Sequence, residues 1–287
     1  MRRIAIIGST GQLGNALVQV LQRASDYHIC PLDHSDIECA DFESVSQALR
    51  EVLPDVVINC AAFVKVDAAE EQPDEAFQVN ATGAFNVARA CADLNSLCIH
   101  VSTDFVFDGQ KETPYTEDDA TGPINVYGTT KLAGEQLVRQ ACPKSLIVRV
   151  AALFGKVGGS EQRRNFVDAI LSQAAARRSL SVVDDSWCSP TYALDAAHGI
   201  EQLIREDAIG YYHLANSGHC TWFSFAKEAI DLCGLDVRLE PVPSSAYPSR
   251  ATRPRNSALI SSRTSPEIRL RTWPEGLRDY LAAIGRL

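Results

Sequence analysis

Residues 3–14 read Arg3-Ile4-Ala5-Ile6-Ile7-Gly8-Ser9-Thr10-Gly11-Gln12-Leu13-Gly14. A short unbroken apolar run such as 3–7 suits a parallel strand buried on both faces. Leu13, Ala16, Leu17, Val20, Leu21 and Ala24 then recur at helical spacing, so the glycines fall at a strand-to-helix junction. Glycines there let the backbone turn tightly and let a pyrophosphate approach the free N–H groups of the helix N-terminus. A glycine-rich turn without a ligand is the plainer alternative. The placement, after a first strand and opening an amphipathic helix, favours dinucleotide binding.

The same alternation continues outward. Residues 28–33 read as a second strand, and Asp41 as the cap of a helix whose apolar face is Val45, Ala48, Leu49, Val52 and Leu53. Strands are expected at 55–61, 97–103 and 145–152, with helices near 75–94 and 126–141 between them. Repeated β-α-β units predict an α/β fold: a Rossmann-type, doubly wound parallel sheet with right-handed crossovers and a smaller C-terminal α/β substrate lobe. The expected division is a dinucleotide-binding domain at 1–152, joined by parts of 180–215, with 153–287 mainly forming the substrate lobe. In that second half KVGGSEQRRN (156–165) reads as an exposed loop. Helices are expected at 165–177, 193–204 and 222–233, the last capped by Thr221, with strands at 180–183 and 211–214. Residues 240–275, rich in Pro, Ser and Arg, read as loop.

The bulk composition narrows the function classes. The 287 residues carry a formal net charge of −9, which argues against a nucleic-acid or anionic-membrane surface, since both need a positive footprint. Nine cysteines, an odd number with no Cys-x-x-Cys pair, suit reduced thiols packed as small hydrophobes. No His/Cys/carboxylate cluster has metal-ligand spacing, so no metal is expected. The N-terminal apolar run is too short for a signal peptide and leads straight into glycines, and no stretch approaches a membrane span. The expected location is the cytoplasm.

The chemistry centres on Tyr127-Gly128-Thr129-Thr130-Lys131. Tyr and Lys four residues apart project from one face of a helix. A nearby ammonium favours the phenolate, so Lys131 is expected to lower the Tyr127 pKa and to reach the nicotinamide ribose. Ser102 and Thr103 end the fourth strand at the carboxyl edge of the sheet, where open α/β sheets bind ligands. Asp33, about twenty residues beyond the glycines, sits where an acid would bind the adenosine ribose hydroxyls and lean the site toward NAD. It could equally be a strand-end turn residue, and His34 and Ser35 would tolerate a 2′-phosphate. Asp41 and Phe42 are a second candidate at the adenine edge, with helix capping the rival role for Asp41.

With these elements in order, the sequence resembles the dTDP-4-dehydrorhamnose reductase family of extended short-chain dehydrogenases over nearly its whole length. The likeness is carried by IGSTGQLG, PDVVINCAA, VNATG, VSTDFVFDG, TPYTEDDATGPINVYGTTKLAGE, SPTY and AYPSRATRPRNSAL. It implies NADPH- or NADH-dependent reduction of the C4 ketone of a dTDP-linked 6-deoxyhexulose, with Thr103, Tyr127 and Lys131 as the catalytic triad. By the same resemblance Gly8, Gly11 and Gly14 hold the cofactor pyrophosphate, and Thr10, Gln12 and Leu13 belong to the same cofactor site. Cys60, Ala61 and Ala62 line the adenosine and ribose region, with Asn80 supporting the site from a helix, a position also open to plain packing. Thr103, Asp104, Phe105 and Ala152 would face the sugar. Arg253 and Arg255 would meet the substrate pyrophosphate, although alone they read as solvated charge. A homodimer is expected by analogy.

The chain departs from the family pattern twice. Phe105 stands where the family usually has Tyr, removing one hydroxyl near the sugar. Val150-Ala151-Ala152 replaces Thr-Ser-Trp, so an aromatic wall becomes a methyl group at Ala152. Two other readings therefore stand beside the first: reduction of a different nucleotide-linked deoxyhexulose, and a non-catalytic NAD(P)-binding regulatory subunit of the same superfamily. Epimerases and dehydratases of this fold also keep the Tyr and Lys. Dehydratases add acids beside the triad hydroxyl, and Asp104 matches that only in part.

Overall fold

The computed structural model describes residues 1–157 and 165–287. The middle of the stretch expected as an exposed loop, 158–164, lies outside the described residues. Six parallel strands form the main sheet: β1 (Arg2–Ile7), β2 (Tyr27–Leu32), β3 (Val56–Asn59), β4 (Leu97–Thr103), β5 (Ser145–Val150) and β6 (Gly210–His213). Their spatial order is β6-β5-β4-β3-β1-β2. The order reverses between β1 and β3, and the crevice outside the carboxyl ends of such strands is where open α/β sheets take ligands.

Alternation along β1 divides the core into two layers. Ile4 and Ile6 pack with Leu13, Leu17 and Leu21 of α1 (Gln12–Leu21), and with residues of a later helix, Ala193–Arg205. Ala5 and Ile7 face Val45 and Leu49 of α2 (Phe42–Val52) on the opposite side. Asp41 caps α2, its carboxylate accepting the Glu43 N–H at 3.0 Å. Two short helices follow β3, α3 (Val66–Glu71) and α4 (Pro73–Phe77). The helix expected at 75–94 is present from α4 through α5 (Ala84–Asp93), interrupted by one π-helical turn, Gln78–Gly83. Such turns concentrate at functional sites.

The long helix α6 (Val126–Ala141) has the extent expected for it. The Asn125 side chain caps it by accepting the Gly128 N–H at 2.7 Å. Strand β5 ends at Val150, two residues short of the expected 152, because Ala152 adopts a left-handed backbone with φ +41°. The second half adds α7 (Phe166–Ala176), α8 (Ala193–Arg205), α9 (Trp222–Leu232) and α10 (Trp273–Ala283). Of these, α8 and β6 join the main sheet and its α1 layer, while α7, α9 and α10 pack around Phe154, Phe225 and Tyr280. Thr221 caps α9 as expected, accepting the Ser224 N–H at 3.1 Å.

The stretch expected as loop, 240–275, holds more structure than its composition suggests. Arg238–Val242 pairs in parallel with Ser179–Val183, Leu270–Thr272 pairs with Asn216–Ser217, and α10 begins at Trp273. A Thr272/Glu275 capping box starts that helix, with Thr272 N–H and Oγ1 both donating to Glu275 Oε2 at 2.9 and 2.6 Å. All nine cysteines are free thiols. Among the described residues, no helix is long and apolar enough to cross a membrane.

Two glycines let backbone approach where no side chain fits. A Cβ on Gly14 would stand 2.2 Å from the Gly8 carbonyl oxygen, and one on Gly128 would stand 2.1 Å from that of Phe105. The second contact presses α6 onto the segment just beyond β4. Gly128→Ala must push the helix off that segment, so we expect about 3 kcal/mol loss of stability, at the upper end of ordinary overpacking. Urea unfolding checks this, and an unchanged midpoint would show that the contact relaxes freely.

Candidate active site

Thr103 closes β4 in extended conformation. Its hydroxyl donates to Asp104 Oδ1 at 3.0 Å and accepts the Phe105 N–H at 3.2 Å. Asp104 is buried, and burial pushes its carboxyl up to about 6, against hydrogen bonds from Ser257 and Thr103. Across from this turn, Tyr127 lies one residue into α6, its ring edge-on to Phe105 at 5.9 Å. Burial raises the Tyr127 phenol to about 12, the Thr103 hydroxyl opposing and the Asp104 charge adding to the rise. The phenol therefore keeps its proton across the neutral range, the state required of a proton donor.

Lys131 lies one turn beyond Tyr127 and is 2% exposed. Its ammonium donates to the Val101 carbonyl at 2.7 Å and stands 3.5 Å from His100 Nε2. Burial pulls it down to about 8, with the charge of Glu135 opposing. The expectation that Lys131 lowers the Tyr127 pKa is therefore corrected. The ammonium turns to the β4 backbone, and burial dominates at the phenol.

The glycine turn has the form of a phosphate cradle. Gly8 adopts φ +75°, which lets the chain turn back, and its N–H and that of Ser9 bond to the Leu32 carbonyl at 3.0 and 3.2 Å. Gly11 begins α1 without a side-chain cap, so the first amides of the helix remain available to an anion. Thr10 is exposed and Gln12 partly so, with Gln12 Nε2 3.4 Å from the Gly155 carbonyl. The Leu13 side chain is core, so only its backbone can serve the turn. A bulky, negatively charged dinucleotide fits this cradle of glycine backbone and free helix amides.

Asp33 ends β2 in a tight turn, its carboxylate accepting Ser35 N–H and Oγ at 2.8 and 2.6 Å. Those bonds hold the carboxyl below the usual range, so it stays ionised at the sheet edge. Phe42 lies under the Arg89 guanidinium at 4.0 Å. Cys60, Ala61 and Ala62 follow β3 half-buried, and an added Cβ at Gly8 would lie 3.0 Å from the Ala61 nitrogen. Asn80 is fully buried in the π turn. Its side chain exchanges bonds with Phe63 N–H and carbonyl at 2.8 and 3.1 Å and donates to Thr130 Oγ1 at 3.0 Å. Asn80 thus ties the loop after β3 to α6, more than a packing residue would do.

The remaining sequence candidates divide. Ala152 lies just past β5, partly buried and strained by its positive φ. Arg253 is ion-paired with Asp67 of α3 at 2.6 Å, and Arg250 pairs with Glu71 beside it. The C-terminal loop is thereby strapped to the helix after β3. The Arg255 side chain is exposed, while its carbonyl accepts the Trp187 N–H at 2.8 Å. Sequence reading missed Ser257, which reaches Asp104 from 153 positions away and left no local signal. It also missed Glu135, whose signal was a carboxylate in helical phase with Tyr127 and Lys131. Among the described residues, no group of three or more His, Cys, Asp or Glu is placed to hold a metal ion.

Comparison with known proteins agrees with this geometry. The family described as RmlD substrate binding domain matches residues 1–286. A dTDP-4-dehydrorhamnose reductase of Mycolicibacterium smegmatis is 38% identical over 289 residues, covering 99% of this chain and 86% of that protein. The solved structure of a dTDP-4-dehydrorhamnose reductase from Clostridium acetobutylicum superposes with TM-score 0.94 at 35% identity, covering 99% of each chain. Another from Bacillus anthracis, solved in complex with NADP, gives TM-score 0.93 at 36% identity over 98% of this chain and 99% of that one. With a match spanning residues 1–286 and relatives aligned nearly end to end, the chain belongs to the RmlD family, that of the dTDP-4-dehydrorhamnose reductases.

Proposed function

We propose that this chain is an NAD(P)H-dependent reductase of the C4 ketone of a dTDP-4-dehydro-6-deoxy sugar, with dTDP-4-dehydrorhamnose the leading substrate and dTDP-L-rhamnose its product. The observation that carries the reading is the meeting, at the end of β4, of a proton-bearing Tyr127 phenol with the Thr103 hydroxyl, beside the buried Lys131.

In this reading Gly8, Thr10, Gly11, Gln12, Leu13 and Gly14 hold the cofactor pyrophosphate. Asp33, Asp41, Phe42, Cys60, Ala61 and Ala62 surround its adenosine and ribose side, with Tyr127 and Lys131 reaching the other end and Asn80 supporting the site from behind. The bound nicotinamide supplies the hydride. Tyr127 gives its phenolic proton to the ketone oxygen, and Thr103 turns its hydroxyl proton from Asp104 Oδ1 to that oxygen as charge develops on it. Lys131, whose ammonium is tied to the Val101 carbonyl, is left to hold the nicotinamide ribose beside the phenol. Asp104, Phe105 and Ala152 bound the sugar. Arg255 meets the substrate diphosphate, joined by Arg253 once it releases Asp67.

Residues 1–152, with α8 and β6, serve as the dinucleotide domain, and 153–287 mainly as the substrate lobe. A homodimer comes with the reading through the family resemblance rather than through a feature of this chain, and a cytoplasmic setting suits a biosynthetic enzyme of this kind. A second reading, another deoxyhexulose as substrate, is favoured by one observation: Ala152 leaves a methyl group where the family places Trp. A regulatory subunit would have no use for a protonated phenol aimed at the sheet edge, which favours the enzyme.

Absorbance at 340 nm tests the proposal, with the dTDP-linked 4-hexulose generated in place and NADH and NADPH offered in parallel. Sugar-dependent oxidation should fall at least about 100-fold in Tyr127→Phe, the usual weight of a lost proton donor. No oxidation by folded, dinucleotide-binding protein would sink the rhamnose assignment, and preference for another deoxyhexulose would favour the second reading. Asp33→Ala should raise the KM for NADH about tenfold more than that for NADPH, equivalent to one charge-assisted hydrogen bond. Equal effects on both would leave Asp33 a turn residue only.

A further inference from the structure

Helix α6 carries a third functional-looking side chain in line with Tyr127 and Lys131. Glu135 follows Lys131 by four residues, on the same helix face. It is fully buried, and its partner Arg149 is 4% exposed. The carboxylate accepts Ser102 Oγ at 2.5 Å, Arg149 Nε at 2.9 Å and Arg149 Nη2 at 2.7 Å. Ser102 and Arg149 are register partners on β4 and β5. One turn earlier, Lys131 grips the Val101 carbonyl. Two consecutive residues of β4 are therefore held by two consecutive turns of α6, and the next residue on the strand is Thr103. A buried ion pair adds little net stability compared with apolar side chains of the same size. Its placement here points to a task beyond holding the fold.

We propose that Glu135 is a positioning residue: gripped by Arg149 and Ser102, it locks α6 in register with β4 and supplies the negative charge that Lys131 needs. This rests on the reductase reading for its meaning, though not for its test. The groups around the ammonium are few. His100 on β4 is driven well below the usual histidine range, first by burial and then by Lys131, so it stays neutral, and its Nδ1 has no hydrogen-bond partner among the described residues. Cys60 after β3 is pushed up to about 12 by burial and keeps its proton. Tyr127, on the same helix, also keeps its proton. Among the described residues, Glu135 is the only carboxylate acting on Lys131.

The sign follows from burial. Burial favours neutral Lys131 and Glu135 favours the ammonium, so loss of the carboxylate lowers the pH at which the charge is lost. The decisive experiment follows the Lys131 15Nζ resonance against pH in the free protein, in wild type, Glu135→Gln and Glu135→Gln/Arg149→Met. The double variant removes both buried charges and serves if the single variant, left with an uncompensated guanidinium, fails to fold. The Lys131 midpoint should fall by about one pH unit or more in Glu135→Gln, the usual effect of one opposite charge, and by a smaller but measurable amount in the double variant, which also loses the guanidinium beyond it. The alkaline limb of kcat should move with it, and KM should change less than about twofold. An unchanged midpoint in a folded variant would overturn the proposal even if kcat falls, since that is what a purely structural pair would give. If the wild type reduced no nucleotide sugar, the reductase reading would fall, while the resonance would still decide the role of Glu135.

Discussion

The architecture of the site depends on how closely α6 can lie against the segment after β4. At Gly128 the Phe105 carbonyl fills the space a methyl group would need, so the helix sits at backbone contact. That approach brings Tyr127, itself partly exposed, to the buried Thr103 and Asp104. Burial then dominates their acid–base behaviour, raising both the phenol and the carboxyl. The strand end and the helix are each ordinary; the missing side chain between them is what makes a site.

Close packing of polar groups has to be satisfied, and the interior is arranged accordingly. Asn80 uses its amide to join the loop after β3 to α6. Arg149 pairs with Glu135 in two bonds and lies over the rings of Phe107 and Tyr211 at 5.1 and 4.9 Å. His213, 3.4 Å from Arg149, is drawn down to about 4 by burial and so remains neutral beside it. Its backbone N–H donates to Glu117, which also accepts Ser261 and Ser262. A chain of polar contacts thus runs from Glu135 of α6 through Arg149 and His213 to Glu117 and the serines at 261 and 262.

Much of this was legible in residue order because the signals are local. Apolar runs, helical periodicity and the glycines at 8, 11 and 14 fix a parallel sheet and its crevice, and Tyr127 and Lys131 announce their shared face by spacing alone. What escaped is either long-range or competes with composition. Ser257 meets Asp104 only through the fold of the C-terminal loop. The start of α10 was hidden in a stretch rich in Pro and Arg, although Thr272 and Glu275 form a readable capping box. The direction of the Lys131 side chain was misread because spacing gives a face, not a partner: the Val101 carbonyl lies nearer in the packed core than any phenolate. The ionic partner of Glu135, likewise, is a strand residue that periodicity cannot pair with a helix.

In the proposed reaction, hydride and proton meet at the sugar ketone held beside Thr103 and Tyr127. NMR of the product formed with NADPH deuterated at nicotinamide C4 tests it most directly. One deuterium is expected on the sugar C4, with the new hydroxyl there and its proton drawn from water through Tyr127. Unconsumed NADPH, or a product carrying no deuterium at C4, would contradict it.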